Sequence, residues 1–166
     1  LKTGTLENQA GLIQGGQSVK IDTQNHALFN NNSGDQAGIL SQGRLEIANV
    51  SQLDNISGYI ATVGSANITV QNTNNNQGKI NSQFDLTISQ QSSGGRIDNL
   101  AGQIQAQKNV NLNVDTLNNS GVASHIVAGE KLTVNTQTLL NAQTKDSITL
   151  GGIDAKNIEI NAQELD

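Results

Sequence analysis

The chain has 166 residues, a formal net charge of −5, 34% apolar residues and no Cys, Pro, Met or Trp. One Tyr, two Phe and the lack of any basic run exclude the stacking platforms and the cationic face of a nucleic-acid binder. No apolar stretch of about 18 residues is present to cross a membrane as a helix, and the core must be built from Leu, Ile, Val and Ala without disulfides.

In chain order the same phrase returns seven times. The first copy opens at "LEN" (6–8), turns at Gly11, and carries an apolar marker, Ile13, and an alternating pair, Val19-Lys20-Ile21. The second opens at "LFN" (28–30), takes an insertion, "NNNSGDQAG" (30–38), and continues to Ile39 and Leu45-Glu46-Ile47. The third has "LDN" (53–55), Gly58, Ile60 and the pair Ile68-Thr69-Val70, set two residues later than in most copies. The fourth has "TNN" (73–75), with Thr in the apolar slot, then Gly78, Ile80 and Leu86-Thr87-Ile88. The insertion "QQSSGGR" (90–96) precedes the fifth, which has "IDN" (97–99), Gly102, Ile104 and Val110-Asn111-Leu112. The sixth has "LNN" (117–119), Ile126 and Leu132-Thr133-Val134. The last has "LLN" (139–141), Ile153 and Ile158-Glu159-Ile160, with an additional off-register pair, Ile148-Thr149-Leu150.

The markers recur every 20 to 27 residues, a spacing typical of stacked solenoid coils. Period 2 within each pair is the mark of a strand with one buried face. Gly supplies positive φ at turns, and Asn tolerates the left-handed region. No segment holds an i, i+3, i+4, i+7 apolar pattern. The expectation is an all-β parallel β-helix of about seven coils, spanning residues 1–166 as a single unit. Coils about 4.8 Å apart would make a rod about 30 Å long. Asn8, Asn55, Asn75 and Asn99, each three residues before a glycine (Gly11, Gly58, Gly78, Gly102), are expected to stack as an amide ladder. The two insertions are expected to bulge from one face or corner.

The chemistry in the chain is sparse. Asp54 and Asp98 share one slot two coils apart, about 10 Å by the coil spacing. That separation would suit an inverting carbohydrate-active enzyme, but no third acidic group joins them, and both read as solvated turn residues. His26 and His125 have no partner at metal-ligand spacing. "GGQS" (15–18) and "SSGGR" (92–96) lack the Lys-Ser/Thr of a phosphate loop. No catalytic, cofactor or metal site is therefore expected. Lys20, Glu46, Thr69, Thr87, Thr133 and Glu159 occupy the outward slot of the pairs and read as a solubilising surface. Loops on a rigid solenoid commonly carry binding, so Asn31, Asn32 and Asp35 in the first insertion, and Gln91 and Arg96 in the second, are the candidate contacts.

The repeated L-x-N-x-x-G-x-I-x-A/S followed by L-x-I, clearest in "LDNISGYIAT", "IDNLAGQIQAQ" and "TNNNQGKINS", resembles the filamentous haemagglutinin repeat. That repeat occurs in large exoproteins of Gram-negative two-partner secretion, which include adhesins and contact-dependent growth inhibition toxins. The resemblance covers nearly the whole chain and is weakest over 139–166. It implies a right-handed β-helix, export by an outer-membrane partner transporter, and display as a filament on the cell surface. The N-P-N-L-type secretion motif and any toxin part are absent from these residues, which leaves filament shaft. A host glycan or a target-cell receptor is the implied external partner. The chain opens and closes mid-phrase, so it reads as a segment of a longer array, and exposed strand edges would favour end-to-end association of copies.

Overall fold

The structure, a computed structural model, describes residues 1–166. It contains no helix, and its strands form a β-solenoid whose coils pair in parallel with the coils above and below. Three ladders run along it. The first stacks Leu12–Gly15, Gly38–Ser41, Tyr59–Thr62, Lys79–Ser82, Gln103–Ala106 and the leading parts of His125–Asn135 and Gly152–Asn161. The seven marker isoleucines form one unbroken column within it: Ile13, Ile39, Ile60, Ile80, Ile104, Ile126 and Ile153. The second ladder stacks the alternating pairs. The third runs from Leu6–Glu7 through Phe29, Asp54, Asn74, Arg96–Asp98 and Thr116–Asn118 to Glu164–Leu165.

The third coil corrects the expected offset. Ala66 pairs with Leu45 and Leu86, and Ile68 with Ile47 and Ile88, so the pair is Ala66-Asn67-Ile68 and begins six residues after Ile60. Val70 instead faces Val50 at the following corner. Alanine is too small to stand out among branched residues in the sequence, yet it fills the slot at 4% exposure.

The off-register pair Ile148-Thr149-Leu150 belongs to a longer, irregular final coil: it forms no strand and lies on a long corner between Asn141 and Gly152, with Ile148 91% and Leu150 80% exposed. The Asp146 carboxylate accepts the backbone N–H of Thr149 and of Ile148, holding that segment in a turn rather than in the sheet. The insertions also occupy different corners: 31–37 joins the third ladder to the first, whereas 90–95 joins the second to the third.

Inside the three ladders the buried apolar residues make one continuous cluster. The core is thin because each coil contributes only a few inward residues, and each of these is covered mainly by its equivalents one coil away. A column of small residues completes the inner wall at the corner between the first and second ladders: Ser41, Thr62, Ser82, Ala106 and Ala128. Its hydroxyls are buried and satisfied by backbone, Ser41 donating to Arg44 O, Thr62 to Gly43 O, and the single proton of Ser82 to Gly64 O or Asp85 O.

Candidate functional site

The most regular polar feature is at the corner between the third and first ladders. Side-chain amides join seven asparagines in line: Asn8, Asn30, Asn55, Asn75, Asn99, Asn119 and Asn141. Each Nδ2 donates to the next Oδ1 at 2.7–2.8 Å. Asn30, Asn119 and Asn141 belong to this run although their spacing to glycine differs from that of the other four, because the longer corners bulge outward and leave the asparagine in column. The same Nδ2 atoms also donate to carbonyls of their own turn, as from Asn55 to Gly58 O and from Asn75 to Gly78 O. Asn30, Asn55, Asn75, Asn99 and Asn119 are fully buried, so these bonds carry the full cost of being broken.

The turn glycines serve a purpose other than positive φ. A Cβ at Gly58 would lie 2.0 Å from Asn30 O, at Gly78 2.0 Å from Asn55 O, and at Gly102 2.1 Å from Asn75 O, while at Gly11 it would meet Asn8 Oδ1 at 2.5 Å. Glycine is needed because the backbone of the coil below passes through the space a side chain would fill. The left-handed residue is the one before it: Ala10, Ser57, Gln77 and Ala101 have φ of 50° to 57°.

The insertions are tied down by the body of the rod. In the first, Asn31 Oδ1 accepts from Ile56 N, Ser33 Oγ accepts from Tyr59 N, and Asp35 pairs with Lys79 at 2.8 Å; Asn32 is exposed at the left-handed position. In the second, Gln91 Nε2 donates to Val50 O, Ser92 bonds Gln71, and Gly94 N donates to Asp115. That backbone N–H, with the Gln90 amide, holds the Asp115 carboxyl below the usual carboxylate range. Arg96 forks onto Asp98 on its own strand, and this hydrogen bond raises the guanidinium above its ordinary value.

Asp54 and Asp98 do share a column, with Asn74 between them. Asp98 is engaged by Arg96 and Asn118, and Asp54 by Gln52. His26 is exposed on the strand Ser18–Phe29, opposite Val50, and His125 is half-buried on the first ladder, far apart in the chain and in different coils. On the second ladder, Lys20 pairs with Glu46 and Lys131 with Glu159, one coil apart in each case.

A concave site lies on the outer surface of the first ladder, which the sequence reading passed over. The outward column there runs Leu40, Ala61, Asn81, Gln105. Ala61 is the smallest of these, and around it opens a groove of about 380 Å³. Tyr59, Leu40 and Val63 line it together with the amides of Gln42, Asn81, Gln83, Gln105 and Gln107, and no charged side chain does. Asn81 Oδ1 is buried there with no hydrogen-bond donor. The local sequence gives no signal of it, since in the same coils the outward slots of the second ladder, Glu46, Asn67, Thr87 and Asn111, are nearly as free of charge.

Comparison of the chain with family models, with curated proteins and with solved structures returned no match.

Proposed function

We propose that the chain is shaft: a stiff spacer within a filamentous exoprotein of the two-partner secretion type, displayed outside a Gram-negative cell. The observation that supports this reading best is the uninterrupted asparagine ladder, six amide bonds long and in register with the isoleucine column. It specifies stacking without gathering reactive groups. Asn31, Asp35 and Gln91 in the insertion loops spend their side-chain bonds on the rod itself, which favours spacing over capture by those loops. Coils that touch only their neighbours can fold progressively from one end, a property suited to a chain threaded through an outer-membrane transporter.

The first test is shape. Small-angle scattering should give an elongated particle, and joining two copies in phase should lengthen it by about 4.8 Å per added coil; a length that does not grow with coil number rejects the spacer. The second test is export. Placed behind a filamentous-haemagglutinin secretion domain and co-expressed with its transporter, the segment should reach the cell exterior, and retention in the periplasm would count against the exoprotein reading.

A further inference from the structure

We infer that the seventh coil has two alternative strands for its place in the first ladder, 152–155 and 147–150, and exchanges between them, the first being the major form. Asn119 and Asn141 are joined in the asparagine ladder 22 residues apart. The backbone keeps that step beyond them: Asn119 N donates to Leu140 O, Gly121 N to Ala142 O and Ala123 N to Thr144 O. Continued without a break, the same step sets Ser147 over His125, Ile148 over Ile126, Thr149 over Val127 and Leu150 over Ala128. Ile148 indeed stands seven residues past Asn141, as Ile126 stands seven past Asn119. The structure instead sets Gly152, Ile153, Asp154 and Ala155 over those four residues. The step has grown to 27 residues, and the five added ones, 147–151, stand out on the corner.

The displaced segment fits the place it is kept from. It alternates with period 2, as a half-buried strand does. Exchanged in, Ile148 would join the marker column and Leu150 would stand above Ala128, where Ala155 stands now. Both are almost bare in the structure, and an isoleucine and a leucine cover more apolar surface there than an isoleucine and an alanine. Two local features oppose them. The Asp146 carboxylate accepts Ile148 N and Thr149 N, and Asp146 N donates to Thr149 O, which closes 146–149 into a turn. Gly152 enters the ladder with φ of 107°, a conformation that favours glycine, and its N–H donates to Ser124 O at 2.7 Å. Neither feature involves the coil below beyond that one bond, so the ladder that receives the strand is the same in both forms. Exchange carries the five-residue bulge from the corner before the first ladder to the corner after it, where Gly151 and Gly152 supply turn residues. The second and third ladders keep their pairings.

The chain has no cysteine, so disulfide trapping in the whole chain reads the register directly. A disulfide spans Cα atoms about 4.4–6.8 Å apart, which paired residues of adjacent coils satisfy and residues two places out of register do not. Val127→Cys with Asp154→Cys reports the form in the structure and should close fastest under diamide. Val127→Cys with Thr149→Cys, and His125→Cys with Ser147→Cys, are in register only in the exchanged form. They should close about ten- to a thousandfold more slowly, as expected when a minor state is trapped. The crossed pairs, Val127→Cys with Ser147→Cys and His125→Cys with Thr149→Cys, should stay open, which separates a second register from a corner that merely moves. Gly152→Ala strains the major form and should speed closure of the two in-register pairs about fivefold or more. In-register pairs that stay open, crossed pairs that close as readily, or in-register rates indifferent to Gly152→Ala would each overturn the exchange. The rod has one length in both forms, so none of these outcomes touches the spacer reading.

Discussion

The third to fifth coils and the seventh coil are written in the same pattern and buried to different degrees. Leu86 and Ile158 occupy one column, as do Ile88 and Ile160, yet the first of each pair is fully buried while Ile158 is 49% and Ile160 37% exposed. Nothing in the local sequence separates them. A central coil is roofed by the next one; above the seventh coil the described residues provide no roof. Burial in this fold is a property that a coil lends to its neighbours, and the alternating pattern states only which column a residue will join.

The largest expected effect follows directly. Ile80→Ala removes a fully buried side chain between two others of its kind and should destabilise by about 2–5 kcal/mol. Ile158→Ala should cost under about 1 kcal/mol, scaling with its smaller burial. Urea unfolding of both variants, followed by hydrogen exchange because repeat arrays need not melt in one step, would break the comparison if the two losses were equal. Asn75→Ala comes next. It leaves Asn99 Oδ1 without its donor inside the rod and should cost about 1–3 kcal/mol. Asn141→Ala, at the half-buried top of the ladder, should cost less than half as much by the same measurement.

Thr73→Val works in the opposite direction. Thr73 sits in an apolar column between Leu53 and Ile97 with its hydroxyl buried and unbonded, so the variant should be more stable by about 1 kcal/mol. A loss of stability would mean that the hydroxyl has an unseen partner. The smallest effect concerns the long corner of the seventh coil. The backbone N–H groups of Thr149 and Ile148 hold the Asp146 carboxyl below its ordinary range. A carboxylate with a lowered folded-state value stabilises above its unfolded value, near pH 4, and that contribution fades as pH falls through the folded one. The amide protons of Ile148 and Thr149 should therefore lose protection below about pH 4, before the central coils change, and Asp146→Ala should reproduce the loss at neutral pH.

Much of the fold was legible from isoleucines spaced by a coil and from pairs alternating with period 2, because both record burial directly. Ala66 was not, since a small residue in a buried slot leaves no hydrophobic mark. At the corners the residue types mislead: glycine suggests the left-handed position, whereas Ser57 and Gln77 hold that conformation and glycine yields room to the backbone one coil below. That constraint comes from a residue some twenty positions away, as with Gly78 and Asn55, and local sequence cannot express it. The groove escaped for a related reason. Leu40, Ala61, Asn81 and Gln105 are unremarkable apart from one another, and only the register sets them side by side.

The asparagine ladder also makes the molecule a ruler graduated in whole coils. Asn75 and Asn99 stand 24 residues apart and hold equivalent places in successive coils. Excising 75–98 would bring Asn99 into the place of Asn75, Gly102 into that of Gly78 and Ile104 into that of Ile80, with every column preserved and one graduation removed. Recombination between in-phase repeats can thus change the length of such a protein without any new packing having to evolve, whereas a deletion whose ends are out of phase within the coils puts every later residue out of its column. Length becomes a quantity that a lineage can edit in discrete steps.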